Sequence, residues 1–251
     1  VYKRQAVDLA VGGVIGSNIA NVMLVLAIAM LIGAASQPDK DLKEDALMLL
    51  AATTFVVLSV VMGEFPLWLG VLSISSMGGY YAYIFRTRGG DDSDEEDSWI
   101  PRGYAYALVA FLFGLILVKF GSDLLIEGGV GLAISIGVSE AVIGLTLVAF
   151  GTSLPELAVT ITASIRGVQG VAIGNILGSN VANVMAVLGI GAIVAQGLSV
   201  SGSFLTLDIW VLLVSSGIIG VSILLGKGVS KPLGAFLLLG YFVYVAQLFI
   251  G

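Results

Sequence analysis

The 251-residue chain contains no cysteine and no histidine. These two absences exclude disulfide bridges, thiolate nucleophiles, the usual zinc sites and Ser–His catalytic relays. Charge is scarce too: charged residues make up 11% of the chain, whereas soluble domains average about a quarter. Hydrophobic residues make up 58%, more than one globular core can hide. The composition therefore favours a protein whose main solvent is lipid. We expect no enzymatic activity, no organic cofactor and no nucleic-acid partner.

The apolar residues form eight segments, most of them close to the length of about 20 residues that a helix needs to cross a membrane. The segments are 9–35, 46–63, 65–85, 103–126, 137–164, 170–195, 204–225 and 232–250. The sequence thus predicts an all-α polytopic membrane protein with about eight transmembrane helices.

Basic residues predict the orientation of these helices. Eight of the eleven Lys and Arg residues fall on alternate connections: Lys40, Lys43, Arg86, Arg88, Arg102, Arg166, Lys227 and Lys231. The connections near 63–65, 127–136 and 196–203 contain none. Because positive charge concentrates on the cytoplasmic side, we assign the basic connections to the cytoplasm. One of them carries an acidic run, Asp91 to Asp97, which is either a solvated linker or a weak regulatory calcium site without the DxDxDG spacing.

An internal repeat links the two parts of the chain. Residues 8–28 read DLAVGGVIGSNIANVMLVLAI, residues 170–190 read GVAIGNILGSNVANVMAVLGI, and 12 of the 21 positions are identical at an offset of 162. By the loop charges, the two copies cross the membrane in opposite directions. Inverted repeats of this kind build many secondary transporters, whose substrate site lies near the middle of the membrane.

Polar side chains recur within the repeat. In the second copy Asn175, Ser179 and Asn183 are spaced four apart, which predicts one shared helix face. The first copy has Ser17 and Asn21 at the positions equivalent to the last two. Close helix packing could explain the accompanying glycines. Amide groups in hydrocarbon additionally need polar partners or a cavity.

The segment before the second copy supplies a carboxylate. Residues 149–156 read AFGTSLPE, and Thr152, Ser153 and Glu156 are expected to project oxygens to one side of a helix. Pro155 lacks the amide hydrogen that would bond the Gly151 carbonyl, so it should loosen the helix and offer that carbonyl as a ligand. Carboxylate, hydroxyl, carbonyl and amide oxygens suit hard cations.

A carboxylate in the middle of a membrane indicates a functional site. The competing interpretation is a structural ion pair between Glu156 and Lys119.

These motifs resemble a known family. GTSLPE at 151–156 followed by GNILGSNVANV at 174–184 resembles the second alpha-repeat of the calcium/cation antiporter superfamily, which includes the sodium/calcium exchangers. GGVIGSNIANV at 12–22 is similar to the latter half of its first alpha-repeat. The resemblance covers all eight segments in order.

The fold that the resemblance implies has ten helices in two inverted five-helix halves. The chain would supply helices three to ten, with the first two missing. Residues 1–86 would be the remainder of the first half, 87–102 an acidic cytoplasmic loop and 103–251 the second half.

The resemblance also implies a set of cation ligands: Thr152, Ser153, Glu156, the backbone carbonyl of Ala149, Ser179, Asn183, Ser17 and Asn21. One position departs from some sodium/calcium exchangers, which have aspartate where this chain has Asn183. That departure leaves Glu156 as the single central carboxylate in the chain.

We therefore expect an antiporter that exchanges sodium for calcium by alternating access, in a prokaryotic-type plasma (inner) membrane. Its partners would be membrane lipid and the ions Ca²⁺ and Na⁺. Two alternatives remain open: a proton/cation exchanger in which Glu156 alternates between ion and proton, and a cation channel.

Overall fold

The computed structural model describes residues 2–33, 40–88 and 140–250, together with isolated positions between 109 and 137. Three long helices each contain a π-helical segment. Helix α1 comprises Tyr2–Ala20, the π-helical Asn21–Leu26 and Ala27–Ile32; α4 comprises Glu140–Ile143, the π-helical Gly144–Val148 and Ala149–Ile165; α5 comprises Gln169–Ala182, the π-helical Asn183–Leu188 and Gly189–Ala195.

The other described helices are regular. They are α2 (Lys40–Met62), α3 (Leu67–Arg88), α6 (Asp208–Leu224) and α7 (Lys231–Ile250). Two short strands, β1 (Glu64–Phe65) and β2 (Leu198–Ser199), and one 3-10 turn, Gly202–Leu205, lie in the connections. These helices confirm the all-α prediction and match seven of the eight predicted segments; the remaining segment, 103–126, lies largely outside the described residues.

Five of the described helical stretches are long and apolar enough to cross a membrane: Val7–Ile32, Lys40–Met62, Gly144–Ile165, Gln169–Ala195 and Lys231–Ile250. Helix α6 is apolar but shorter. Helix α3 has 22 residues, and its Ser, Gly and Tyr residues make it less apolar than the five. The α1 stretch is 78% buried and the α7 stretch 22%. Helix α1 therefore lies at the centre of the bundle, and α7 presents most of its surface to lipid.

The packing follows the internal repeat. The last part of α1 packs against α7, just as the last part of α5 packs against α3, and α2 packs against α6. Helices α1 and α5 both change to a π-helical segment at equivalent residues, Asn21 and Asn183; we call these two the central helices. Hydrogen bonds join Asn18 to Asn183 and Asn21 to Asn180. Residue numbers rise along one helix as they fall along the other, so α1 and α5 run antiparallel, and the predicted inversion of the repeat is confirmed.

A small antiparallel ribbon fixes one face of the bundle. Glu64 pairs with Ser199 and Phe65 with Leu198. The ribbon ties the connection after α2 to the connection after α5, so both lie on the same side. This agrees with the charge pattern, in which both connections lack Lys and Arg. Which side is cytoplasmic stays a prediction.

Glycines allow α1 and α4 to touch backbone to backbone. A Cβ atom on Gly16 would lie 2.6 Å from the Leu145 carbonyl oxygen, and one on Gly144 would lie 2.8 Å from the Leu9 carbonyl oxygen. Any side chain at these positions would push the helices apart. Close packing thus accounts for these two glycines, and it brings the next residue on α1, Ser17, against α4.

Candidate cation site

Polar side chains of α1, α4 and α5 meet halfway along the three helices. We call this group the central polar cluster: Ser17, Asn18, Asn21, Ser153, Glu156, Ser179, Asn180 and Asn183. Helix α4 packs against both central helices. Its turn from Ser153 to Glu156 therefore faces the antiparallel crossing of α1 and α5.

Glu156 is the carboxylate of the central polar cluster. Its Oε1 accepts a hydrogen bond of 2.8 Å from Ser179 Oγ. Its Oε2 is buried and has no hydrogen-bond partner among the described residues. No Lys or Arg of the described ranges lies within ion-pair distance of it. The proposed structural partner, Lys119, falls outside the described residues, so that alternative stays a prediction.

A second acceptor oxygen lies near the carboxylate. Asn21 donates through Nδ2 to Ser179 Oγ at 3.4 Å, the same hydroxyl that contacts Glu156. The Asn21 Oδ1 is buried and, among the described residues, unpartnered. A buried oxygen without a partner costs free energy, more so when it carries charge. A cation bound against both oxygens would remove this cost, and a proton on Glu156 would remove the charge.

Ser17 and Ser153 extend the cluster toward the other side of the crossing. Their hydroxyl oxygens are 3.1 Å apart, and both side chains are buried. Asn183 donates to Ser17 Oγ at 3.2 Å. The crossing thus presents a hydroxyl from each of three helices, four amides and one carboxylate.

Two of the predicted ligand groups bond to each other. The Ala149 carbonyl accepts a hydrogen bond of 3.1 Å from the Thr152 hydroxyl. Thr152 is exposed, in contrast to the buried Ser153, and its hydroxyl is bonded within its own helix. Threonine hydroxyls in helices commonly bond back to the preceding turn in this way.

The expected loosening at Pro155 takes a different form. The α-helical stretch Ala149–Ile165 continues through Pro155, and Gly151 has an interaction partner. The π-helical segment of α4 lies about two to three turns before Pro155. Asn175 reinforces this region: its Nδ2 donates to Thr160 Oγ1 at 3.0 Å and to the Glu156 carbonyl at 3.5 Å. Asn175 therefore joins α5 to α4 one helical turn before Ser179, which meets the Glu156 carboxylate.

Sequence reasoning missed Asn18 and Asn180, which are buried at the crossing. Asn18 Nδ2 donates to the Asn180 backbone carbonyl, and Asn180 Nδ2 donates to the Asn18 backbone carbonyl, both at 3.1 Å. The repeat could have identified them, because both residues are asparagine and occupy equivalent positions in the two copies. Neither residue falls on the four-residue spacing that links Asn175, Ser179 and Asn183.

Every atom that the central polar cluster could offer to a cation as a ligand is an oxygen. Within the described ranges, no three His, Cys, Asp or Glu residues come together as a transition-metal site would require. Hydroxyl, amide and carboxylate oxygens are ligands of hard cations such as Na⁺ and Ca²⁺. The oxygens of the central polar cluster therefore have the chemistry that a hard cation requires, with Glu156 as the one carboxylate among them.

Comparison with known proteins identifies relatives of the chain. The chain matches the sodium/calcium exchanger protein family over residues 1–86 and 106–250. A protein of Alkalimonas amylolytica named as an antiporter, CaxA, is 31% identical over 255 residues, covering 96% of this chain and 79% of that protein. The sodium/calcium exchanger MaX1 of Methanosarcina acetivorans is 50% identical over 84 residues, 34% of this chain and 24% of that protein.

A solved structure extends the similarity to the whole fold. The sodium-calcium exchanger NCX_Mj, soaked with Na⁺ and Sr²⁺, superimposes with a TM-score of 0.73 at 30% sequence identity. The match covers 96% of this chain and 77% of that one.

Proposed function

The chain belongs to the sodium/calcium exchanger protein family, and from this premise we propose that it is a secondary antiporter that exchanges Na⁺ for Ca²⁺ by alternating access. One observation supports a particular site for the ion: Glu156 Oε2 and Asn21 Oδ1 are buried and unpartnered among the described residues. Both residues contact the Ser179 hydroxyl. An ion placed against them would replace its lost hydration with protein oxygens.

The proposed ligands are those at the crossing of α1, α4 and α5: Glu156, Ser153, Thr152, the Ala149 carbonyl, Ser179, Asn183, Ser17 and Asn21. Glu156 supplies the charge, and the amides and hydroxyls supply neutral dipoles. The Thr152 hydroxyl would have to leave the Ala149 carbonyl, to which it is bonded, to take part.

The antiparallel crossing supports alternating access. Transporters with inverted repeats hold the substrate at the interface of the repeats, and rocking of one part against another opens either side in turn. Here α1 and α5 are joined by buried hydrogen bonds at their midpoints. We take this crossing as the fixed element against which other helices move.

We further propose that residues 1–86 and 103–251 belong to opposite inverted halves, with 87–102 as a cytoplasmic connection. The protein would reside in a prokaryotic plasma membrane, surrounded by lipid. The bacterial and archaeal sources of CaxA and MaX1 support this location.

A proton/cation exchanger is the second candidate. It is favoured by the single described carboxylate of the central polar cluster, which would take either one proton or one cation. Vesicles with a reconstituted full-length protein separate the two. Calcium uptake that follows an imposed sodium gradient supports Na⁺/Ca²⁺ exchange, whereas uptake that follows only a pH gradient supports proton coupling.

The site itself is tested by Glu156→Gln, which removes the charge at nearly constant size. A divalent ion that loses its hydration shell needs negative charge in a low-dielectric site, so calcium exchange should fall to background. Glu64→Gln is the matched control, because Glu64 is exposed in the connection after α2 and its substitution should leave exchange unchanged. Normal exchange by the Glu156→Gln variant would reject the proposed site.

A further inference from the structure

Backbone carbonyls fix the direction of the hydrogen bonds at the crossing. A carbonyl oxygen only accepts, so Asn18 and Asn180 must each turn the NH₂ group toward the partner's backbone and the Oδ1 the other way. Asn18 Oδ1 then accepts from Asn183 Nδ2 at 3.0 Å. Asn180 Oδ1 accepts from Asn21 Nδ2 at 2.9 Å. The four bonds form two equivalent relays, one ending at Asn183 and the other at Asn21.

The relays determine which way the outer amides face. An isolated asparagine amide can turn over with little steric change, because its NH₂ and its oxygen are similar in size. Here the second hydrogen of each outer amide is used as well: Asn183 donates to Ser17 Oγ at 3.2 Å and Asn21 to Ser179 Oγ at 3.4 Å. With both hydrogens engaged, only the amide oxygen is left to face an ion.

We propose that Asn18 and Asn180 are positioning residues, each of which orients the outer amide of the opposite helix so that its oxygen faces the transported cation. The inference rests on the proposed cation site. It also explains why amides stand at 21 and 183. A carboxylate there would set its oxygen against the acceptor oxygen of Asn180 or Asn18, where the amide now donates a hydrogen.

Paired substitutions test the relay through the calcium affinity of the purified full-length protein, measured by calorimetric titration. Asn183→Asp alone should weaken binding, because two acceptor oxygens then face each other. Asn18→Ala alone should also weaken it, because the Asn183 amide loses its orientation. Combining the two should bind calcium more tightly than either single variant, since a carboxylate has two equivalent oxygens and needs no orienting. We expect recovery of about 5-fold or more, within the range of couplings between contacting residues.

The symmetry of the fold supplies matched controls. Asn180→Ala with Asn21→Asp is the second matched pair and should recover in the same way. The crossed pairs, Asn18→Ala with Asn21→Asp and Asn180→Ala with Asn183→Asp, make the same chemical changes without joining relay partners. They should show no recovery. Equal affinities in matched and crossed pairs would overturn the proposal.

Thermal unfolding of each variant in detergent separates positioning from folding. If the alanine variant of one relay does not fold, the other relay decides the outcome. Failure of both alanine variants to fold would assign Asn18 and Asn180 a purely structural role and overturn the proposal.

Glu156→Gln distinguishes a failure of the proposed cation site from a failure of the relay. If it leaves calcium binding intact, the cation site is wrong and the inference falls with it; if it abolishes binding while matched pairs show no recovery, only the relay is rejected.

Discussion

Gly16→Ala tests whether backbone contact between α1 and α4 assembles the site. The added Cβ would lie 2.6 Å from the Leu145 carbonyl oxygen and 2.7 Å from its Cα. Ordinary contacts begin at 3.4 Å, so two rigid helices would separate by about 0.8 Å. Overpacking of this kind costs roughly 1–3 kcal/mol of folding free energy. Shortening the Leu145 side chain would bring no relief, because the clash is with its backbone.

The separation should also act on the proposed cation site. The hydroxyls of Ser17 and Ser153 are 3.1 Å apart, and moving α4 away by about 0.8 Å would take them beyond hydrogen-bonding distance. We therefore expect Gly16→Ala to lower both the unfolding temperature and the affinity for calcium. The two readouts are the thermal unfolding midpoint in detergent and calorimetric titration with calcium.

Gly79→Ala is the control for the added methyl group. Gly79 is exposed on α3, and a Cβ atom added there would meet nothing within 4 Å, so its substitution should lower neither readout. A Gly16→Ala variant that unfolds like the wild type and binds calcium with unchanged affinity would refute the close approach of α1 and α4.

Two further outcomes are expected. Because the chain has no native cysteine, cysteines introduced singly at Ser230 and Gly202 should label from opposite sides, Ser230 from the cytoplasm; labelling of both from one side contradicts the predicted topology. Tyr244→Phe removes the 2.8 Å hydrogen bond to the buried Asp208 carboxylate and should destabilise the protein by about 1–3 kcal/mol, measured by thermal unfolding. Tyr81→Phe, at an exposed ring, should not, and equal effects of the two would contradict this account.

The architecture was predictable from the sequence because it depends on long apolar runs and an internal repeat. Local changes of helix type do not alter either feature. Apolar runs of membrane-spanning length predicted the helices, and the repeat of GSN-containing segments predicted an inverted pair. The resemblance to calcium/cation antiporters is confirmed by the family match. What periodicity could not predict is the π-helical segment that starts at Asn21 and again at Asn183. Each π turn adds a residue and rotates the following face.

Individual side-chain roles were harder to predict, since a helix position determines a direction but not a hydrogen-bond partner. Thr152 is four residues from Glu156, yet its hydroxyl bonds back to Ala149. Asn175 is four residues from Ser179, yet it binds Thr160 on the neighbouring helix. Such choices depend on which acceptors the next helix offers, and a single sequence does not contain that information.

The charge of the proposed cation site bears on the exchange reaction. Glu156 is the one carboxylate that the described residues bring to the central polar cluster, and the amides of Asn21 and Asn183 add dipoles without charge. One Na⁺ at this site would be electrically neutralised, while one Ca²⁺ would leave a net positive charge among the described groups. In a medium of low dielectric constant that difference is costly. Neutral ligands oriented in advance lessen the penalty through their dipoles, so errors in amide orientation should weaken calcium binding more than sodium binding.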